Sequence, residues 1–282
     1  MKRTLMIPVD FSADAHKLIE FCAGTVGRGI GHVILVHVLD TSGLEGPIIE
    51  KSIADAHAKL EEYAKVLREV GMVVSIRVPT GALAHEVLSI ARRKDVDVIV
   101  CQSSAKQPLA RLFEGSLSEE IAFGQKTPTL LIRDDLLNAF DNPRTSSKDW
   151  SKCLVVPADY SAPSIRAIMQ CTQFDADAVG EVRLLHVITG VETGDNLEQY
   201  IVEDKFRLSA FCALLEKRGI KTTPVVVEND SVGDAVLEEV RTSGATGIVM
   251  GTKDRGAVTE IIAGSTTLKI LKNTPVPTMV VP

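Results

Sequence analysis

With 282 residues, 45% hydrophobic and 24% charged, the chain has the size of two ordinary domains and the composition of a globular protein. Lysine and arginine number 31 against 37 aspartate and glutamate, a formal charge of −6 with no basic run, which argues against a nucleic-acid backbone as the main partner. No apolar run reaches the roughly 18–20 residues of a membrane span. The opening Met1-Lys2-Arg3-Thr4-Leu5-Met6-Ile7-Pro8 enters a strand without a leader pattern. Five widely spaced cysteines lack any CxxC pair, which fits reduced, buried thiols better than a disulfide framework or a zinc site. The expected compartment is the cytoplasm.

In chain order, residues 3–9 form an apolar, β-branched run, and Ser12 offers a helix cap before an amphipathic segment to about residue 26. Residues 32–39 are a second buried run, and a long helical pattern ends at Gly71, a plausible C-cap. Short apolar runs follow at 72–78, 97–101 and 128–133, with helical patterns at 82–93 and 114–123. Near-continuous apolar strands are buried on both faces, so the pattern predicts a parallel sheet with helices on each side.

The whole arrangement then returns. Leu5-Met6-Ile7-Pro8-Val9-Asp10-Phe11-Ser12-Ala13 is answered 149 residues later by Leu154-Val155-Val156-Pro157-Ala158-Asp159-Tyr160-Ser161-Ala162. The same offset joins Cys22 to Cys171, His37-Val38 to His186-Val187, Val87-Leu88 to Val236-Leu237, and Gly115-Ser116 to Gly264-Ser265. It slips by one only around the second helix, where Gly71 answers Gly219. The reading is a tandem duplication of one doubly wound α/β domain, a five-stranded, mainly parallel, Rossmann-like sheet with helices on both faces. Residues 1–135 and 151–282 are the two copies. Residues 136–150, with Asn142-Pro143, Ser146-Ser147 and several charges, read as an irregular linker.

Ligands in such sheets bind at the carboxyl ends of the strands, where strand order switches. In the second copy those ends carry Pro157-Ala158-Asp159, Val187, and Met250-Gly251-Thr252-Lys253-Asp254-Arg255-Gly256 running on to Gly264-Ser265-Thr266-Thr267. Glycine-rich turns that lead into a helix offer unpaired N–H groups and a positive dipole end to phosphate. Alone, such a turn is a weak signal.

The set of motifs resembles the universal stress protein family, whose phosphate loop reads G-x-x-G, nine residues, then G-S/T. Gly251 and Gly264-Ser265 match its spacing, as do the strand-end Asp159 and the closing Pro275-Val276-Pro277-Thr278-Met279-Val280-Val281. The resemblance covers both halves and implies a fold like that of adenine nucleotide alpha hydrolases. It also implies a site for ATP or AMP, with Mg²⁺ as a companion. Carried over, Asp159 would bond the ribose or adenine edge and the backbone at Val187 would read adenine. Gly251, Lys253 and the Gly264–Thr267 turn would hold phosphates, with Pro157, Ala158, Met250 and Asp254 completing the site.

Asp254 departs from the pattern, placing a side chain and a negative charge where the second glycine belongs. In the first copy both leading glycines are lost, to Gln102 and Ala105, and only Gly115-Ser116 survives. That copy reads as degenerate.

Each residue also has a plainer role. Asp10 and Asp159 could cap the next helix, His37 and His186 could be satisfied core imidazoles, and Cys22 and Cys171 could be core thiols. Cys101 lies at a strand end, as a core or redox-sensitive thiol. Gly29-Ile30-Gly31-His32 reads as a turn before strand 2. Glu61, Glu62, Lys65 and Arg68 read as a solvated helix face.

No nucleophile–base pair and no Walker loop is present, so the chain is expected to act by binding, not catalysis. The leading expectation is a nucleotide-responsive stress or signalling protein. The alternative is a nucleotide-independent module that recruits a protein partner through two relic sites. The copies are expected to pair as a pseudo-dimer through 128–133 and 276–281, with further homodimerisation through matched faces.

Overall fold

Leu5, Met6 and Ile7 are consecutive and all buried, and so are Leu154, Val155 and Val156. Successive strand residues point to opposite faces, so only a sheet covered on both sides hides three in a row. The computed structural model describes residues 3–25, 29–103, 126–190, 196–252 and 264–282. They fall into two units, Met1–Lys148 and Asp149–Pro282.

The first unit runs β1 (Arg3–Pro8), α1 (Ala15–Ala23), β2 (Ile30–Val36), α2 (Gly46–Glu69), β3 (Val73–Arg77), α3 (Leu83–Arg93), β4 (Val98–Ser103), β5 (Thr129–Arg133), α4 (Asp134–Ala139) and α5 (Pro143–Asp149). Its five strands are parallel in the order β3-β2-β1-β4-β5. The second unit runs β6 (Cys153–Pro157), α6 (Ala162–Cys171), β7 (Glu181–Ile188), α7 (Leu197–Glu216), β8 (Lys221–Glu228), α8 (Val232–Ser243), β9 (Gly247–Gly251), α9 (Ser265–Asn273) and β10 (Thr278–Val281). Its strands repeat the order as β10-β9-β6-β7-β8. Each half is therefore the doubly wound α/β sheet that the apolar runs imply. The helical pattern at 114–123 lies outside the described residues.

Packing accounts for the elements. In the second unit Val155, Leu185, Val236, Val240, Ile248, Met250 and Ile270 form one buried cluster between the sheet, α8 and α9. Both long helices end ahead of a left-handed glycine, Gly71 at φ 87° and Gly219 at φ 79°, a conformation that opposes any Cβ.

Three local expectations are corrected. Residues 136–148 are not an irregular stretch between units but belong to the first one. Asp134 and Asp135 start α4, and Pro143 starts α5. Leu137 is fully buried, Phe140 stacks on Phe21 at 6.0 Å, and Arg144 pairs with Glu20 at 2.7 Å. Two apolar anchors outweigh a polar composition. Ser12 does not cap α1: the helix starts after Asp14 with no side-chain cap, and the Ser12 Oγ is buried without a partner. The amide of Ser12 instead turns onto Asp10 Oδ1 at 2.9 Å, which delays the helix. Finally, only Gly29 of the Gly29–His32 stretch is a turn, at φ 77°; Ile30 already belongs to β2.

Candidate functional site

Each sheet reverses direction once. After β6, β7 and β8 the chain returns to the other side of β6 to lay down β9, so the switch point lies between β6 and β9. Their ladder covers only Leu154↔Gly247 and Val155↔Ile248. Beyond that register no further pair joins them, and a switch point of this kind sets the expected ligand crevice at their carboxyl ends. Asp159 stands on one side, just past β6, and Met250-Gly251 on the other, at the end of β9. The last register pair of β6 is Pro157↔Leu185, so His186, Val187 and Ile188 of β7 run past it. The half-buried Val187 pairs with Val227 of β8.

Asp159 does not cap α6 itself. Its Oδ1 accepts from the amide of Ser161 at 3.0 Å and from the Ser161 hydroxyl, and Ser161 is the residue that caps α6 by accepting from the Ser164 amide. Partial burial pushes the Asp159 carboxyl up, but the hydrogen bonds from Ser161 outweigh it and hold the group below the usual carboxylate range. The acid is thus ionised and fixed at the crevice mouth.

The next residue is strained in both units. Phe11 has φ 57° and Tyr160 φ 63°, left-handed values rare for aromatic residues. In each case the ring lies over a strand-end histidine, with centroids 4.1 Å apart for Phe11–His37 and 4.8 Å for Tyr160–His186. Each histidine donates Nδ1–H to the carbonyl just before the strand-end aspartate, His37 to Val9 at 2.7 Å and His186 to Ala158 at 2.6 Å. A carbonyl can only accept, so the tautomer is set. Both imidazoles are structural ties that hold the aspartate loop against β2 or β7.

What surrounds the ties differs. In the second unit the buried Asp204 of α7 accepts from the Tyr160 hydroxyl at 3.3 Å and pairs with Arg207 at 3.1 Å. It also faces His186 Nε2 at 3.5 Å, an ion pair whenever that ring carries its second proton. Burial first, and then the Asp204 charge, push the Tyr160 hydroxyl up to about 12. At the matching places, allowing for the one-residue slip, the first unit has Ala56 and Lys59, with Lys59 Nζ 5.2 Å above the Phe11 ring.

The glycines divide by role. A Cβ on Gly251 would lie 2.3 Å from the Pro163 carbonyl oxygen, so this glycine lets the start of α6 press against β9. Around Gly264 a Cβ would meet nothing within 4 Å among the described residues. Gly264 precedes α9 with no side-chain cap, Ser265 is exposed, Thr266 is half-buried and Thr267 is buried. The expected phosphate residues Lys253 and Asp254 lie outside the described residues, as do Ala105, Gly115 and Ser116. Gln102, in place of Gly251, is the last residue but one of β4 in the first unit. Cys101 is buried and pushed up to about 12 by that burial, which rules out a ready thiolate there. Cys22 and Cys171 are fully buried core thiols.

Two doubly wound sheets with matched strand-end loops define a duplicated Rossmann-like protein. The universal stress protein family model matches residues 1–133 and 152–282, and the chain belongs to that family. A curated relative, universal stress protein MJ0577 of Methanocaldococcus jannaschii, is 25% identical over 155 residues, 47% of this chain and 96% of that protein. A universal stress protein from Archaeoglobus fulgidus shares the fold along the whole chain, with TM-score 0.74, 21% identity, and 99% and 95% of the two chains covered. A structure from Pseudomonas aeruginosa gives TM-score 0.63 at 15% identity over 99% and 93%. Among the described residues, no helix is long and apolar enough to cross a membrane.

Proposed function

We propose that the second unit binds an adenine nucleotide, ATP or AMP, at the crevice between β6 and β9, and that the chain serves stress signalling through this binding rather than through turnover. The observation that carries the reading is the start of α9. Among the described residues it has no side-chain cap and nothing within 4 Å of a Cβ at Gly264, and it follows β9 at the carboxyl ends of strands whose ladder stops short. Free N–H groups and the helix dipole suit phosphate there. The ionised Asp159 and the β7 backbone at Val187 suit a ribose and a base edge, and Ser265 and Thr266 add hydroxyl donors. These residues fit the nucleotide, and Mg²⁺ would accompany its phosphates.

The test is calorimetric titration of the purified chain with ATP and with AMP in the presence of Mg²⁺, beside Gly264→Asp. That substitution sets a negative charge in open space and leaves the packing alone. About one nucleotide per chain, abolished by the substitution, is expected. Two per chain would make the first unit a live site. No binding of either at millimolar concentration overturns the reading. The partner-recruiting alternative would then lead, favoured by Val202 and Phe206 of α7, which are 67% and 79% exposed.

A further inference from the structure

The first unit has a cleft of about 650 Å³ away from its strand-end loop, between the end of β3 and the last turn of α3. Arg77, Val78 and Pro79 line one side, and Ile90, Arg93 and Lys94 the other. The volume is in the range of small-molecule sites. Its charge is one-sided. Arg77, Arg93 and Lys94 are exposed, and none has a carboxylate partner among the described residues. The nearby Asp97 is turned away, accepting from the Thr4 amide at 2.7 Å.

Exposed lysines and arginines on a helix are usually a solvated face, but two observations set this group apart. His32 of β2, tied to the Ser75 hydroxyl at 2.9 Å, is held below its ordinary range, first by burial and then by the charges of Arg77 and Lys94. The charges of Arg77 and Lys94 therefore both reach this one imidazole of the neighbouring strand, after the larger effect of burial. The second unit shows what the same place looks like when neutralised. Glu181, Arg183 and Glu239 stand where the first unit has His32, Ile34 and Ile90. Arg183 meets Glu239 at 2.6 Å and Glu181 at 3.4 Å, and Lys221 meets Glu181 at 3.7 Å. Val225, Thr242 and Ser243 there replace Arg77, Arg93 and Lys94. One unit closes its charges internally; the other, among the described residues, gives its three cations no carboxylate, Arg77 Nη1 and Arg93 Nε meeting only the backbone carbonyls of Ile76 and Ser89.

We propose that this cleft is a ligand site of the first unit, for a small anion of the phosphate-ester class with two or more negative charges and an apolar portion against Val78, Pro79 and Ile90. Guanidinium groups bind phosphate oxygens in a forked, charge-assisted geometry, with Lys94 as a further point charge. The site is independent of the nucleotide reading for the second unit.

The probe is inorganic pyrophosphate, titrated by calorimetry into the Gly264→Asp chain so that α9 of the second unit does not compete. Binding of one per chain is expected, weakened by salt. Arg77→Gln should weaken it about tenfold, and the triple replacement of Arg77, Arg93 and Lys94 by Gln should abolish it. Absence of binding at millimolar pyrophosphate overturns the proposal, and so does equal binding by the triple variant. Should the triple variant fail to fold, His32 decides the matter in the unsubstituted cleft. Its NMR titration midpoint must rise when pyrophosphate offsets Arg77 and Lys94, and an unmoved midpoint is fatal.

Discussion

The two units solve one mechanical problem with different chemistry. Each must hold a strand-end aspartate in place through a left-handed aromatic and a histidine tie. The first unit does it with apolar packing: Phe11 lies on His37 with Tyr63 at 6.3 Å, Ala56 fills the helix side, and Lys59 rests over the ring. The second builds a polar cluster on the same frame, with Tyr160, His186 and Arg207 around the buried Asp204. The backbone geometry is thus fixed by the fold, while charge at the loop is free to vary. Only the second unit places a charged, hydrogen-bonded cluster beside the proposed nucleotide crevice.

The harshest way to break this comparison is to put the acid where the tyrosine hydroxyl is missing. Ala56→Asp puts a carboxylate at a buried position whose counterpart of Tyr160 is Phe11, with Lys59 as its only matching cation, and should destabilise the first unit by about 3 kcal/mol. Adding Phe11→Tyr should recover part of that loss in denaturant unfolding. No recovery would mean that the cluster needs more than its two central residues. Next in size is Gly251→Ala. The added Cβ runs into the Pro163 carbonyl, and about 2 kcal/mol should be lost from the second unit alone; a loss below about 0.5 kcal/mol would show that α6 shifts freely.

Asp204→Ala removes the carboxylate that accepts from the Tyr160 hydroxyl and pairs with Arg207, leaving that hydroxyl only the backbone carbonyl of residue 204, and should cost about 1.5 kcal/mol. Asp204→Asn, which keeps an acceptor, should cost less, and equal losses would deny the hydrogen bonds any part. The smallest effect at neutral pH belongs to Tyr160→Phe, which should cost about 0.5–1 kcal/mol. Its signature lies in alkali. The folded hydroxyl titrates near 12 against an ordinary value of 10.0. Its contribution is therefore complete below pH 10 and disappears as pH rises through 12, because the unfolded chain releases the proton first. The alkaline limb of stability against pH should flatten in the phenylalanine variant, and an unchanged limb would refute the assignment.

Much of the fold was legible because a parallel strand buried on both faces writes itself as an unbroken apolar run. The constant offset between Asp10 and Asp159, or Cys22 and Cys171, then declared the repeat. The places of Asp159 and Gly251 at strand ends followed from the apolar runs alone. Side-chain function was harder to read. Asp204 looks like any acid on an amphipathic helix, and only its burial, with Tyr160 arriving from 44 residues away, makes it special. The left-handed aromatics were hidden because residue type argues against the conformation they adopt. Helix α5 was missed because its anchoring pair joins Arg144 to Glu20, 124 residues apart. Gly251 fitted the phosphate pattern by spacing, whereas its lack of a side chain also answers to the Pro163 carbonyl.

Joining both sheets in one chain has an evolutionary consequence. In an assembly of identical copies, every substitution is imposed on all copies at once, so a change that suits one loop must be tolerated by each. Here the two loops mutate separately and always occur in equal number. Ala56 and Asp204 could diverge, and so could the open and neutralised charge sets beside β3 and β8, without either half carrying the other's compromise. Duplication gave the chain two halves that share a common scaffold but answer to separate selection.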